Sequence, residues 1–256
     1  MNPVDLNCDM GELPALIADG TQVQLMRHVT SVNIACGAHA GDDATMRTTI
    51  DQALAAGVAI GAHPGYEDRE HFGRLEQSLA GDEIAALVHR QLARLDALAR
   101  ERGAEVSFVK PHGALYNQAA ADRAIAAAIA TGVARWRAGA TLVCLAGPAG
   151  LGMLEAFRAA GLAVAAEAFA DRRYEPDGRL RSRQLGDSLL SDPAEAAAQA
   201  LRIARREGVI AAGGAIVPLI GQTICIHSDT PGSVHIAQAV RAELSRHQFT
   251  LQPFAR

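Results

Sequence analysis

The sequence has few aromatic residues, no block of like charge and no long apolar run. Aromatic residues make up 4% of its 256 residues, whereas apolar residues make up 49%, and the formal net charge is -4. No apolar run reaches the ~18 residues typical of a transmembrane helix. These absences predict no membrane span and no nucleic-acid partner. The apolar content is sufficient for one large buried core.

Cysteine is also scarce, and its spacing argues against the common thiolate sites. Cys8, Cys36, Cys144 and Cys225 are far apart and form no Cys-x-x-Cys pair. Clustered cysteines are typical of structural zinc sites, and a dense cysteine framework is typical of small secreted domains. The amino terminus has neither the basic lead nor the apolar core of a signal peptide. We therefore predict reduced thiols in a cytoplasmic protein.

The sequence lacks the glycine motifs of several enzyme classes. It contains no P-loop, no dinucleotide-binding glycine fingerprint and no serine nucleophile elbow. The turn from Gly147 to Gly150 leads from a predicted strand into a helix and can hold an anion there. No lysine follows this turn closely, so the pattern does not predict that the chain binds ATP through a P-loop.

Apolar strand patterns alternate with amphipathic helix patterns about seven times along the chain. The clearest helix is predicted over residues 82–102, where apolar residues recur at helical spacing. The first strand is predicted over 3–7, a small hairpin over 209–219, and a long polar loop over 171–191. The alternation favours an α/β fold with a parallel sheet. No linker or shift in composition divides the chain, which predicts a single domain over 1–256.

Polar residues follow at least six of the predicted strands. In chain order they are Asp9, then His39, then His63, then Lys110 with His112, then Asp171 with Arg172, and finally His227 with Asp229. An open sheet of seven strands spaced ~4.8 Å apart would spread these groups over about 30 Å. In a closed barrel the carboxyl ends of all strands meet at one rim. We therefore predict a seven-stranded (β/α) barrel with its site at that rim.

The stretch 106–117 carries the densest chemistry. Lys110 and His112 lie two residues apart around Pro111, at the end of a buried strand, so their side chains share a direction. The alternative is a structural ion pair beside a surface histidine. Carboxylates, imidazoles and a lysine at one rim favour general acid–base chemistry, with or without a divalent metal. Replacement of Lys110 by Ala is expected to abolish turnover with little change in stability.

Several motifs resemble those of one family and occur in its order over nearly the whole chain. They are Asp5-Leu-Asn-Cys-Asp-Met-Gly-Glu12, Val32-Asn-Ile-Ala-Cys-Gly-Ala-His-Ala-Gly-Asp42, Gly61-Ala-His-Pro-Gly65, Val109-Lys-Pro-His-Gly-Ala-Leu-Tyr-Asn117, Glu167-x-Phe-x-Asp-Arg172 and Cys225-Ile-His-Ser-Asp-Thr-Pro231. The chain resembles the LamB/YcsF family, which contains the A subunits of bacterial 5-oxoprolinase. One departure is Ser228, where glycine is common in the family.

The resemblance implies a seven-stranded barrel like that of sugar deacetylases. It also implies ATP-dependent opening of 5-oxo-L-proline to L-glutamate, in which subunits B and C phosphorylate the substrate and this chain opens the activated lactam. ATP would then be consumed by the complex. Two other interpretations stay open: a metal-dependent deacetylase or amidohydrolase that acts alone, and a non-catalytic subunit that only binds substrate. Homo-oligomerisation is open as well.

The strand-end residues and the matched motifs together supply the candidate site. The candidate catalytic residues are Asp9, His39, His63, Lys110, His112 and Asp229. The candidate substrate-binding residues are Asn7, Glu12, Tyr116, Asp171, Arg172 and His227. If a metal is bound, Asp9, His39 and His63 are the predicted ligands. The charged loop 67–74 is either a lid or a solvated segment, and 171–191 is a second candidate lid or docking loop.

Overall fold

The computed structural model describes residues 3–255, and these include nine strands, seven of which form a closed barrel. In chain order the strands are β1 (Asp5–Met10), β2 (Ser31–Ala35), β3 (Ala59–His63), β4 (Val106–Val109), β5 (Thr141–Leu145), β6 (Ala163–Phe169), β7 (Val209–Ile210), β8 (Ile216–Val217) and β9 (Thr223–Ile226). The barrel order is β1-β2-β3-β4-β5-β6-β9. The predicted seven-stranded α/β barrel is confirmed.

Strand β1 closes the barrel because it pairs in parallel with both β2 and β9. Asn7 is in register with Ser31 on one side and with Cys225 on the other. All seven barrel pairings are parallel. Their carboxyl ends therefore lie at one rim, as the sequence predicts. Strands β7 and β8 form a separate antiparallel hairpin, which confirms the predicted hairpin.

Nine α-helices connect the strands of the described region. They are α1 (Pro14–Ala18), α2 (Thr21–Met26), α3 (Asp43–Ala56), α4 (Gly81–Arg100), α5 (Gly113–Ala121), α6 (Arg123–Trp136), α7 (Leu151–Ala159), α8 (Pro193–Ala204) and α9 (Ser233–Arg246). The Asp42 carboxylate caps α3 by accepting from the Thr45 amide at 2.8 Å, and Gly57 ends that helix. The Asp192 carboxylate caps α8 by accepting from the Ala194 amide, and Asp is among the preferred residues at this position.

Strand β1 and two helices differ most from the sequence-based prediction. Strand β1 runs to Met10 rather than ending at residue 7, because its ladder with β2 continues to the pair Met10–Ile34. The sequence pattern predicts neither the short helix α1 nor α5, which begins directly after His112. The motif around His112 reads as a loop in the sequence because Pro111 and Gly113 are helix-breaking residues. That the whole of 1–256 forms one domain stays a prediction, since Met1, Asn2 and Arg256 lie outside the described residues.

The main apolar core lies between the barrel and its helices, so the inside of the barrel is left for other groups. Leu92 and Leu95 of α4 and Ile236 of α9 are fully buried in this layer. Inside the barrel, Phe108, Val143 and Ala165 form a small separate apolar cluster, on which Phe254 packs. Because Phe108 pairs with Thr141 at the start of β5, this cluster occupies the lower barrel. The upper part is polar.

The segment 171–191 is irregular, as its sequence predicts, but backbone bridges between its own residues hold it in place. Isolated bridges join Arg172 to Leu189 and Tyr174 to Leu180. The Tyr174 hydroxyl accepts a hydrogen bond from the Phe169 amide at 2.8 Å. This segment therefore packs onto the end of β6 and forms part of the rim. Within residues 3–255, no helix combines the length and the apolar character needed to cross a membrane.

Two glycines at the start of α7 make a matched pair for a stability test. A Cβ atom on Gly150 would lie 1.6 Å from the Leu145 carbonyl oxygen, whereas one on Gly152 would meet no atom within 4 Å. Gly150→Ala is therefore expected to lower the free energy of unfolding by about 1–3 kcal/mol or more, as overpacking does. Gly152→Ala is expected to be neutral or stabilising by up to about 1 kcal/mol. Urea unfolding of both variants tests this, and equal stabilities would contradict it.

Candidate active site

A cavity of about 670 Å³ opens at the carboxyl ends of the barrel strands. Its walls combine residues at strand ends with residues from the irregular segments. They include Asp9, Glu12, His63, Arg74, Lys110, His112, Tyr116, Phe169, Arg172, Arg179, Arg181, Arg183, His227 and Asp229. The size is within the usual range for small-molecule sites, about 300–1,000 Å³. Nine of the twelve predicted site residues line this one cavity.

Lys110 forms the floor of the cavity, between two carboxylates. Its Nζ lies 2.9 Å from Asp9 Oδ1 and 3.0 Å from Glu167 Oε1, and Cys225 Sγ is 3.1 Å away. Burial alone would lower the pKa of this ammonium, but Asp9 and Glu167 raise it well above its ordinary value. Lys110 is therefore a fixed cation rather than a nucleophile. It is also the only lysine among the 24 lysine and arginine residues of the sequence.

Asn7 lies behind this floor and connects three strands. Its Nδ2 donates to Glu167 Oε1 at 3.0 Å and to Thr223 Oγ1 at 2.6 Å, and its Oδ1 accepts from Asn33 Nδ2 at 2.7 Å. Asn33 Nδ2 also donates to Asp9 Oδ1 at 2.7 Å. Asn7 does not line the cavity. The network instead fixes the carboxylates that hold Lys110.

Three histidines surround the Glu12 carboxylate on one side of the cavity. Glu12 Oε1 lies 2.9 Å from His39 Nε2, 3.2 Å from His112 Nδ1 and 3.7 Å from His63 Nε2. The rings of His39 and His112 stack with their centroids 3.7 Å apart. His63 and His112 line the cavity, whereas His39 lies behind His112. Asp9 Oδ2 is 3.5 Å from His63 Nε2, so the floor and the histidines form one cluster.

Backbone carbonyls determine which ring nitrogens carry hydrogen. His63 Nδ1 lies 2.7 Å from the Lys110 carbonyl oxygen, and His112 Nε2 lies 2.8 Å from that of Phe72. A carbonyl oxygen can only accept, so both of these nitrogens donate N–H groups. The other nitrogens of the two rings, His63 Nε2 and His112 Nδ1, then face each other at 2.9 Å.

Burial and neighbouring charges separate the protonation states in this cluster. Burial and the nearby His112 lower the pKa of His39 to about 3, so His39 is neutral at pH 7 and donates from Nε2 to Glu12. Burial would raise the pKa of Asp9, but the nearby His63 and Lys110 hold it well below its ordinary value. Asp9 is therefore ionised across the physiological range.

The loop 67–74 packs over the histidines. A Cβ atom on Gly73 would lie 2.7 Å from the Cβ of His39 and 2.9 Å from Cδ2 of His112, so only glycine permits this close approach. Phe72 adopts a φ of 57°, a left-handed conformation that is uncommon for a bulky residue. Of the two roles that the sequence left open for this loop, a cover over the site fits these contacts, and a merely solvated segment does not.

On the opposite side, Asp171 orients His227. The buried Asp171 carboxylate accepts from the His227 backbone amide at 2.9 Å and from the Thr230 hydroxyl at 2.6 Å, and it contacts His227 Nδ1 at 3.0 Å. Burial would raise the Asp171 pKa, but His227 and these hydrogen bonds lower it to about 2. The His227 ring stacks on Phe169 with centroids 5.4 Å apart. Asp171 itself is not exposed to the cavity.

Arginines dominate the mouth of the cavity. Asp229 forms ion pairs with Arg74 and with Arg183, whose Nη1 lies 3.0 Å away. Arg172 is buried, with 7% exposed, and its Nη2 donates to the Arg181 carbonyl oxygen at 2.7 Å. No carboxylate of residues 3–255 lies within 4.0 Å of its guanidinium, and its Nε has no partner there. Among residues 3–255, the mouth therefore offers a buried cation with no carboxylate in direct contact.

The structure places the predicted residues in two layers. The cavity wall contains Asp9, Glu12, His63, Lys110, His112, Tyr116, Arg172, His227 and Asp229. Behind it, among residues 3–255, are Asn7, His39 and Asp171, each in contact with a wall residue. The roles of these residues stay predictions. Their placement favours positioning roles for the second layer and a pairing role for Asp229.

Sequence reasoning missed several members of this site. Glu167 is fully buried against Lys110, and Asn33, Cys225, Arg74 and Arg183 also belong to the network. A signal for Glu167 was present, because it is the only charged residue in the otherwise apolar strand β6. No sequence signal pairs Arg74 with Asp229, since 155 positions separate them.

Within residues 3–255, two groups of three side chains, here called triangles, could bind a metal ion. Neither is the predicted ligand group. One is Asp9, Cys225 and His227, and the other is Glu12, His63 and His112. The predicted trio of Asp9, His39 and His63 stays a prediction. His39 Nε2 lies 2.9 Å from Glu12 Oε1, and its ring is stacked behind His112.

The chain is similar to proteins of one family over nearly its full length. Residues 4–256 match the model of the LamB/YcsF family. The A subunit of 5-oxoprolinase from Methylococcus capsulatus is 47% identical over 242 residues, which cover 94% of this chain and 92% of that protein. The corresponding protein from Chloroflexus aggregans is 46% identical over 252 residues, covering 98% of this chain and 99% of the other.

One solved structure supports these sequence matches, and a second shares only the fold. A crystal structure of a lactam utilization protein from Thermus thermophilus has a TM-score of 0.90 and 39% identity, and the match covers 98% of this chain and 100% of that one. A family 4 carbohydrate esterase from Streptomyces lividans, with a TM-score of 0.50 and 9% identity, shares the fold alone. From its motifs, its barrel and these matches, we conclude that the chain belongs to the LamB/YcsF family.

Proposed function

We propose that this chain is the A subunit of an ATP-dependent 5-oxoprolinase, which opens activated 5-oxo-L-proline to L-glutamate together with subunits B and C. The observation that carries the proposal is the buried Lys110 ammonium, which shares one cavity with a cluster of carboxylates and imidazoles. The names of its relatives, at 42–47% identity, support the same substrate. A hydrolase acting on a cyclic amide C–N bond fits both.

The cationic mouth suits the charge of the substrate. 5-Oxo-L-proline carries a carboxylate, and a phosphorylated form carries further negative charge. Arg172 is buried beside the cavity without a carboxylate partner in residues 3–255, so an anionic ligand would satisfy its guanidinium. Tyr116, Glu12 and His227 line the same space and are proposed to contact the ring. A cavity of about 670 Å³ leaves room for a phosphoryl group as well.

The proposed chemistry uses Lys110 on the cavity floor and the histidine cluster beside it. Lys110 donates to the ring carbonyl oxygen and stabilises the negative charge that develops there. The cluster of Asp9, His63 and His112 activates the water that adds to the carbonyl carbon. The ring C–N bond then breaks and the nitrogen takes up a proton. With the phosphoryl group on the ring carbonyl oxygen, this leaves an acyl phosphate, and a second water hydrolyses it to L-glutamate and inorganic phosphate. Asn7, His39 and Asp171 position these groups, and Asp229 holds Arg74 and Arg183 at the mouth.

Partner proteins are proposed to supply the ATP-dependent step. The sequence has no P-loop, and an unactivated five-membered lactam is a poor electrophile. Subunits B and C would therefore phosphorylate 5-oxoproline and dock near the rim, with 67–74 and 171–191 as candidate contact segments. All four cysteines are free and buried, which supports the proposed cytoplasmic location.

A second candidate is a metal-dependent amidohydrolase or deacetylase that acts without partners. The two triangles of candidate ligands favour it. It requires turnover by the purified chain alone, without ATP. A third, a non-catalytic binding subunit, requires ligand binding without any effect of this chain on the reaction.

Mixing and omission experiments distinguish these candidates. The chain is combined with subunits B and C, 5-oxo-L-proline and ATP, and each protein is omitted in turn while glutamate and ADP are measured. We expect ATP-dependent glutamate release only when all three are present, and none from this chain alone. Release by the chain alone would contradict the proposal, as would undiminished release by B and C without it.

A further inference from the structure

Glu12, His63 and His112 bring three potential ligand atoms within 4.8 Å of one another at the cavity wall. The distances between their ligand atoms are 2.9 Å for His63 Nε2 to His112 Nδ1, 3.2 Å for His112 Nδ1 to Glu12 Oε1, and 3.7 Å for His63 Nε2 to Glu12 Oε1. Ligand atoms bound to tetrahedral zinc at about 2.0–2.1 Å are about 3.3–3.4 Å apart. The three observed distances lie on either side of that value.

The tautomers leave the facing nitrogens without hydrogen of their own. Both outer nitrogens donate to backbone carbonyls, of Lys110 and of Phe72. Two neutral rings would therefore turn lone pairs toward each other at 2.9 Å, next to the Glu12 carboxylate. A cation has to lie between these groups, either a proton on one ring or a metal ion bound by all three. A proton on His112 Nδ1 would be shared between His63 Nε2 at 2.9 Å and Glu12 Oε1 at 3.2 Å, whereas an ion would be bound by all three groups at once.

The surroundings of the triangle match those of metal-binding histidines in general. Such histidines donate their second N–H to a carbonyl or carboxylate, and ligating carboxylates are themselves hydrogen-bonded. Here His63 and His112 donate to carbonyls, and Glu12 accepts from the neutral His39. All three ligand residues line the cavity, so a fourth position would be open to water or substrate, as in catalytic zinc sites.

We propose that Glu12, His63 and His112 bind one divalent ion of the zinc class at the cavity wall. The set of two imidazoles and one carboxylate suits zinc and cobalt better than calcium or magnesium, which prefer oxygen ligands. A bound ion of this class lowers the pKa of a coordinated water. With the ion bound, His63 and His112 would act as its ligands rather than as bases, and the ion would activate the water instead. That role rests on the proposed function, whereas binding of the ion is measured without substrate, ATP or partners.

Equilibrium dialysis of the chelator-treated full-length chain against Zn²⁺, followed by elemental analysis, tests the proposal. We expect one Zn²⁺ per chain, a higher thermal unfolding midpoint with Zn²⁺, and tetrahedral-type absorption bands with Co²⁺. Glu12→Gln and His112→Ala are each expected to weaken binding by about 10²-fold or more. The control His247→Ala, which removes a histidine paired with Glu243 of α9, is expected to bind like the unaltered chain.

Binding of the ion at the second triangle would give a different spectrum and a different response to mutation. If Asp9, Cys225 and His227 were the ligands, the Co²⁺ complex would show a thiolate charge-transfer band, and Cys225→Ser would lose it together with affinity. That result would overturn the proposal. So would substoichiometric Zn²⁺ in the unaltered chain, which would leave a proton between His63 and His112. Because the unaltered chain decides this point, the test holds even if both site variants fail to fold.

Discussion

Lys110→Met is expected to lower ATP-dependent glutamate release by at least about 10²–10³-fold, the usual cost of losing an oxyanion donor. The lysine Nζ lies at the floor of the cavity with its charge fixed by Asp9 and Glu167. Methionine has a similar shape and provides no donor. Release is measured in the complex with subunits B and C, at a temperature where the variant is folded.

The same substitution is expected to destabilise the fold, which revises the sequence-based expectation of little change. Lys110 is 3% exposed, and Glu167 is fully buried. Removing the cation leaves two buried carboxylates without their partner, and breaking such a pair costs about 3–5 kcal/mol. Urea unfolding measures this loss. The double variant Lys110→Met with Glu167→Gln removes one of the two charges, so it is expected to recover part of the stability but none of the turnover.

Two controls make the result specific. Arg90→Met removes an exposed cation paired with Glu67, and it is expected to change neither rate nor stability appreciably. Lys110→Arg keeps the charge but places a larger planar group in the floor, so turnover should stay low. Near-normal glutamate release by folded Lys110→Met would rule out a catalytic role. Lys110 would then be a structural ion-pair partner.

The positions of the strands explain how much of this site the sequence predicts. Polar residues at the ends of parallel strands converge whatever the details of packing, so Asp9, His63, Lys110 and His227 could be placed at one rim in advance. Contacts that depend on the path of irregular segments could not. The carbonyl that contacts His112 belongs to Phe72, whose backbone is left-handed, and the sequence of the loop 67–74 does not predict that conformation.

The sequence also does not predict which residues line the cavity and which lie behind them. His39 and His63 both lie near the carboxyl end of a strand and follow an alanine, yet only His63 lines the cavity. The difference arises because His39 stacks on the back of His112 and bonds to Glu12. Periodicity gives the face of a strand on which a residue lies. It does not show which of two side chains lines the cavity and which lies behind the other.

Arg172→Gln is expected to weaken binding of 5-oxo-L-proline by about 10–150-fold, because hydrogen bonds to charged groups contribute about 1.5–3 kcal/mol. Arg172 is the buried guanidinium whose Nε has no partner within residues 3–255. Burial and the neighbouring Arg183 lower its pKa to about 10, so it remains charged at neutral pH. Calorimetric titration and the KM of the assembled complex both measure the effect.

Although Arg172→Gln is expected to weaken binding, it is expected to raise the free energy of unfolding or to leave it unchanged. A buried charge without a counter-ion is costly in the free protein, and Arg172 donates a hydrogen bond to the Arg181 carbonyl oxygen at 2.7 Å. Replacing it by a neutral amide removes the charge and leaves a donor for that oxygen. A substrate-binding arginine therefore predicts lower affinity with equal or higher stability, whereas a structural arginine predicts lower stability with equal affinity.

Arg179→Gln is the matched control, because Arg179 also lines the cavity but is 69% exposed and paired with Asp177. It is expected to change affinity by less than a few-fold and stability by less than about 0.5 kcal/mol. If Arg172→Gln instead binds 5-oxo-L-proline normally and unfolds more easily, the buried cation holds the segment 171–191 in place. The anionic end of the substrate would then have to be bound by Arg74 and Arg183, which Asp229 already pairs.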